Sequence, residues 1–154
     1  MVLFRASLNP ISEQAAEQDF LGSMERTTPT VLVIDDVAEI VEELLTLLSL
    51  REISATGAHS LDGAIGALEN APQIRVIACD VRLGKESGFD ICDRIRTHPR
   101  LKARNFAYIF ISGDPMRLNQ ASHLPKHSIL TKPVEPRALI ELLREKLDAM
   151  RTIG

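Results

Sequence analysis

At 154 residues the chain has the length of one domain and can bury a real core. A net charge of −3 with no basic cluster argues against nucleic-acid binding, and no apolar run approaches a membrane span. Two cysteines, Cys79 and Cys92, make no disulfide framework, and neither CxxC nor HExxH spacing offers a zinc site. Both thiols suit a reducing cytoplasm, the compartment the sequence predicts.

Residues 1–29 differ from the rest. Met1-Val2-Leu3-Phe4 meets Arg5 and then Asn9-Pro10, too early for a signal-peptide core. Ile11, Ala15, Phe20 and Leu21 give a thin apolar stripe before Gly22-Ser23, which reads as an extension, either disordered or a short docking helix.

The remainder, about 30–150 with a tail at 151–154, alternates strand and helix. Val31-Leu32-Val33-Ile34 is a β-branched run that stops at Asp35-Asp36. Ile40, Val41, Leu44, Leu45, Leu47 and Leu48 recur at helical spacing, with Glu39, Glu42 and Glu43 on other faces. Ile53–Ala58 predicts a weak strand, and Asp62–Asn70 a small helix stopped by Ala71-Pro72. Arg75–Asp80 reads as a strand buried on both faces that ends abruptly in a carboxylate. Leu83–Gly88 follows as a loop, and Phe89–Arg96 as a helix ended near His98-Pro99. Phe106–Ile111 is a fourth apolar run, finishing at Ser112-Gly113-Asp114. Residues 115–127 carry Pro115, Asn119, Ser122, His123 and Pro125, so any helix there is short. Ser128–Thr131 is a brief fifth strand before Lys132-Pro133. Pro136–Met150 is a strong helix with Leu139, Ile140, Leu143, Leu147 and Met150 in a stripe. Most of that stripe reads as core, and a spare apolar edge could pair two copies as a homodimer. Strand–helix alternation of this kind predicts an α/β fold with a parallel sheet and helices on both faces.

Ligands in open α/β sheets sit beyond the carboxyl ends of the strands. Four of the five predicted strands end in groups whose chemistry belongs together, namely Asp35 and Asp36, Asp80, Ser112, and Lys132. Singly, each has a plainer reading: Asp80 as a cap, Ser112 as a turn residue, Lys132 as a solvated side chain. Together, three converging carboxylates require a cation, and oxygen ligands with room for water suit Mg²⁺. A hydroxyl and an ammonium beside that metal match the oxygens of a phosphoryl group, and an Asp can serve as its acceptor. The four histidines share no ligand spacing and read as surface residues.

This set resembles the receiver domain of two-component response regulators. The resemblance rests on the acidic pair after Val33-Ile34, on Asp80 with Gly88 eight residues on, on Ser112-Gly113 and on Lys132-Pro133. The intervals fit as well: 44 residues from Asp36 to Asp80, 32 to Ser112 and 20 to Lys132. It implies a doubly wound (βα)5 flavodoxin-like sandwich with five parallel strands in the order 2-1-3-4-5. It further implies Asp80 as phosphoacceptor and Mg²⁺ held by Asp35, Asp36, Asp80 and the Arg82 carbonyl. Ser112, Gly113 and Lys132 would receive the phosphoryl group, Ser112 and Ile129 would stand at the switch positions, and Pro133 is the candidate for a cis peptide. The implied partners are a histidine kinase or phosphotransfer protein and a downstream protein target, with no nucleic acid and no membrane. The implied chemistry is acceptance and loss of its own phosphoryl group, without turnover of a separate substrate.

The sequence departs from the family in three places. Gly84 stands where a proline is usual, Ile129 where an aromatic is common, and Leu124-Pro125-Lys126-His127 lacks a glycine-rich turn. Arg82 and Asp114 occupy positions that tune loss of the phosphoryl group in the family. The alternative reading is a phosphorylation-independent protein-binding module on the same fold. A Mg²⁺-dependent phosphatase is weaker, because Arg82 stands where such enzymes carry a second acid. No output domain is legible, so the expectation is either a stand-alone regulator or part of a longer protein.

Overall fold

The computed structural model describes residues 28–114 and 124–153. The extension read at 1–29, apart from its last two residues, and most of the segment 115–127 therefore lie outside the described residues. The elements in chain order are β1 (Val31–Ile34), α1 (Ala38–Leu50), β2 (Ala55–Ala58), α2 (Leu61–Asn70), β3 (Val76–Asp80), β4 (Arg82–Leu83), β5 (Glu86–Ser87), α3 (Asp90–Arg96), β6 (Ala107–Ser112), β7 (His127–Thr131) and α4 (Pro136–Ile153).

Five strands form one parallel sheet in the order β2-β1-β3-β6-β7. Setting aside the small β4–β5 hairpin, this is the predicted order 2-1-3-4-5. Alternation along each strand splits the core in two. Leu32, Ile34, Ile77, Cys79 and Phe110 face α2 and α3, whose Leu61, Leu68, Ile91 and Ile95 are buried against them. Val31, Val33, Val76, Ala78 and Ile109 face α1 and α4, which contribute Leu48, Leu139, Ile140 and Leu143. The stripe on α4 is thus core, and that helix continues to Ile153 rather than stopping at Met150.

Several expectations shift. The second strand begins at Ala55 rather than Ile53, because Ile53 closes the end of α1. Its N–H bonds to the Leu48 carbonyl at 2.9 Å while the Glu52 N–H bonds to Ser49 at 3.1 Å. This six-to-one, five-to-two pair is a Schellman cap, and it places Glu52 in the left-handed region at φ 62°. The loop read at 83–88 contains an antiparallel hairpin, with Arg82 opposite Ser87 and Leu83 opposite Glu86 across the turn Gly84-Lys85. Gly84 has φ 60°, as a two-residue hairpin turn favours. The α3 helix starts at Asp90, and of the histidines only His59 is open to solvent among those described.

Arg104 had no signal in the sequence. Its guanidinium donates to the carbonyls of Leu68 (2.7 Å), Ala71 (3.2 Å), Pro72 (3.3 Å) and Ile74 (3.0 Å) and lies over the Phe106 ring. It thereby caps the C-terminus of α2, where carbonyls lack partners and positive charge is favoured.

Candidate functional site

The sheet delivers four strand ends to one edge. Ile34 is in register with Cys79 and Cys79 with Phe110, so the following Asp35 and Asp80 emerge side by side. Ser112 pairs with Thr131 on the next strand, and Lys132 comes directly after.

Asp35, Asp36 and Asp80 each present a carboxylate oxygen, and these atoms lie within 4.8 Å of one another. Asp35 and Asp80 are only 5% exposed, so water screens their repulsion poorly, while Asp36 is open to solvent. Each carboxylate is held. Asp35 Oδ1 accepts the Val37 N–H at 2.9 Å, and Asp36 Oδ2 accepts the Gly84 N–H at 3.0 Å. Asp80 Oδ1 accepts the Arg82 N–H at 3.1 Å, and its Oδ2 accepts from Lys132 Nζ at 2.9 Å. Among the described residues, three carboxylates against the one ammonium that touches them leave two negative charges in excess. Burial is the main cause that lifts the Asp35 carboxyl above its ordinary 3.8. The Val37 N–H opposes the rise, and the Asp80 charge adds to it.

A cleft of about 220 Å³ opens beside Asp80, walled by Arg82, Ser112, Gly113 and Lys132. Gly113 lines the cleft without a side chain, and a Cβ there would make an ordinary contact with Lys132 Cδ at 3.7 Å. Ser112 Oγ is occupied by its own turn. It donates to the Asp114 carbonyl at 3.0 Å and accepts the Asp114 N–H at 3.1 Å. The Lys132–Pro133 peptide is cis. Beyond it, Pro133 and Val134 join Ile40, Leu44 and Ile111 along a groove of about 540 Å³ that shares Asp35 and Lys132.

Asp35, Asp36, Asp80, Arg82, Ser112, Gly113 and Lys132 therefore meet at one place. Ile129 does not; it sits half-buried on β7 beside Phe110, against the core shared with α2 and α3. Phe110 in turn lies 4.8 Å edge-on to Phe89 and 5.6 Å from the His127 ring.

Sequence reading missed the part played by Gly84. Its N–H holds Asp36 across 48 residues, a bond proline cannot donate. The signal available was the glycine itself. Gly88 is needed for another reason: a Cβ there would stand 2.0 Å from the Asp80 carbonyl oxygen. The thiols are inert neighbours, as burial raises Cys79 well above its usual range and Cys92 to about 12.

A family model for the response regulator receiver domain matches residues 31–144. The chain is 26% identical over 122 residues to the two-component response regulator PprB of Pseudomonas aeruginosa. It is 29% identical over 123 residues to the transcriptional regulatory protein GltR of the same organism. The two alignments cover 78% and 77% of this chain but 44% and 48% of those proteins, so the chain spans about half the length of these curated relatives. A response regulator receiver protein from Pseudomonas putida superposes with a TM-score of 0.67 at 34% identity, covering 76% of this chain and 96% of that one. A receiver domain protein from Clostridium thermocellum reaches a TM-score of 0.70 at 24% identity, over 82% and 99% of the two chains, a likeness of fold.

Proposed function

The chain belongs to the response regulator receiver family, and from that premise we propose that it accepts a phosphoryl group onto Asp80 from a phosphohistidine of a partner kinase or phosphotransfer protein. The observation that carries this reading is the excess of negative charge around a lysine-paired aspartate. An oxygen-only donor set with three carboxylates and one neighbouring ammonium fits Mg²⁺, which Asp35, Asp36, Asp80 and the Arg82 carbonyl would hold. Bound there, the ion would offset charge on the phosphoryl oxygens.

The protein's own groups supply position. An Asp80 carboxylate oxygen attacks phosphorus, an O–P bond forms as the N–P bond breaks, and the departing imidazole keeps the electron pair. Lys132 Nζ, already 2.9 Å from Asp80 Oδ2, stabilises the charge that develops on a phosphoryl oxygen. Ser112 bonds another oxygen after its donation to the Asp114 carbonyl gives way. That rearrangement, in the segment leading to β7, is the switch that alters the surface offered to a downstream partner. Hydrolysis of the acyl phosphate returns the starting state, so no separate substrate is turned over. We place this activity in the cytoplasm; no described helix is long and apolar enough to cross a membrane.

Intact mass after incubation with acetyl phosphate tests the reading. The expected result is one phosphoryl adduct that needs both Mg²⁺ and Asp80 and is absent from Asp80→Asn. An unmodified wild type under rapid quenching sinks it. A second reading, a binding module indifferent to phosphorylation, draws support from Ile129, a half-buried aliphatic where the family commonly has an aromatic. Under it, Asp80→Asn leaves partner binding unchanged.

A further inference from the structure

The face carrying α2 and α3 holds a groove that the acid pocket does not use. It has a volume of about 510 Å³ and lies between α3 and the start of β6, at the end of the strands opposite Asp80. Ile95, Phe106, Tyr108 and Leu124 give it an apolar floor. Arg96, Lys102 and Arg104 line it as well. Arg96 is paired with Asp93, which also faces the groove, whereas Arg104 bonds to carbonyls and Lys102 has no ion pair among the described residues. Among the described lining residues, three cations against one carboxylate leave a surplus of two positive charges over an apolar floor. The chemistry that complements it is an acidic segment bearing large apolar side chains.

We infer that residues 17–22 of this chain, Glu17-Gln18-Asp19-Phe20-Leu21-Gly22, dock in this groove, with Phe20 and Leu21 on the floor and Glu17 and Asp19 toward the cations. Reach permits it. Val31 is in register with Val76 and Val76 with Ala107, so the start of β1 and the start of β6 are two strand spacings apart, about 10 Å. The ten residues from Phe20 to Thr30 extend to about 33 Å. Charge selects this segment over residues 115–123, which adjoin the groove at Leu124 but carry Arg117 and no carboxylate. Docking ties the arm to Leu124 and Pro125, just ahead of β7.

The test compares amide NMR spectra of the full chain with those of Phe20→Ala/Leu21→Ala. Shifts are expected at residues 95–96, 102–108 and 124. Glu17→Lys and Lys102→Glu should each lower the docked-to-free ratio by about two- to five-fold, and combining them should restore the wild-type groove spectrum. Formation of the Asp80 adduct serves as the check that each variant folds. Changes confined to residues 17–30, or groove shifts that follow Leu118→Ala instead, overturn the proposal. So do groove shifts that depend on protein concentration, which would assign the occupant to a second copy.

Discussion

Asp35 and Asp80 share a dry corner, and two unit charges about 5 Å apart repel by roughly 3 kcal/mol at an effective dielectric near 20. The metal-free protein is therefore strained electrostatically at its own site. Asp35→Asn keeps an oxygen for the Val37 N–H while removing one charge, so it should raise the melting temperature in EDTA at pH 7 by a few degrees. The folded-state pKa of Asp35 is raised, so its protonation contributes stability that is fully present below about 3.8 and lost as pH rises through the raised value. The advantage of the Asn variant should accordingly shrink as pH falls, which melts across a pH series will show. Gly84→Pro removes the N–H that holds Asp36 and cannot adopt φ 60°, so calorimetry should find Mg²⁺ binding several-fold weaker.

At the scale of elements, the end of α1 offers a stabilising change. Glu52 occupies the left-handed position of a Schellman cap, where a side chain costs about 1–2 kcal/mol. Glu52→Gly should raise stability by about 1 kcal/mol, read as a higher urea midpoint with an unchanged slope. Gly88→Ala acts oppositely, forcing a Cβ into the Asp80 carbonyl, and should cost about 3 kcal/mol or more while weakening acceptance at Asp80. These two positions mark the boundary of what the sequence discloses. The run Val31–Ile34 and its stop at Asp35-Asp36 were legible because buried parallel strands are continuous apolar runs ending at polar groups. The β4–β5 hairpin was not, since two-residue strands have no period to detect. The bonds of Asp36 to Gly84 and of Arg104 to four carbonyls join side chains to distant main chain, and beyond the glycine itself no residue pattern encodes such partners.

For the whole molecule, the acid pocket joins the ends of β1 and β3 at the centre of the sheet, so an ion bound there stabilises the fold. At a hundred-fold excess of Mg²⁺ over its dissociation constant, the gain is about 2.7 kcal/mol, and Asp80→Asn should lose most of the resulting rise in melting temperature. The opposite end of the sheet has its own clasp in Arg104, whose donors reach residues 30–36 positions earlier in the chain. One side chain joins the last turn of α2 to the approach to β6, so these two stretches open and close together. Their amide protons should exchange at a common rate with common denaturant sensitivity. Arg104→Lys, which keeps the charge but not the fork, should uncouple those rates while barely moving the global unfolding midpoint.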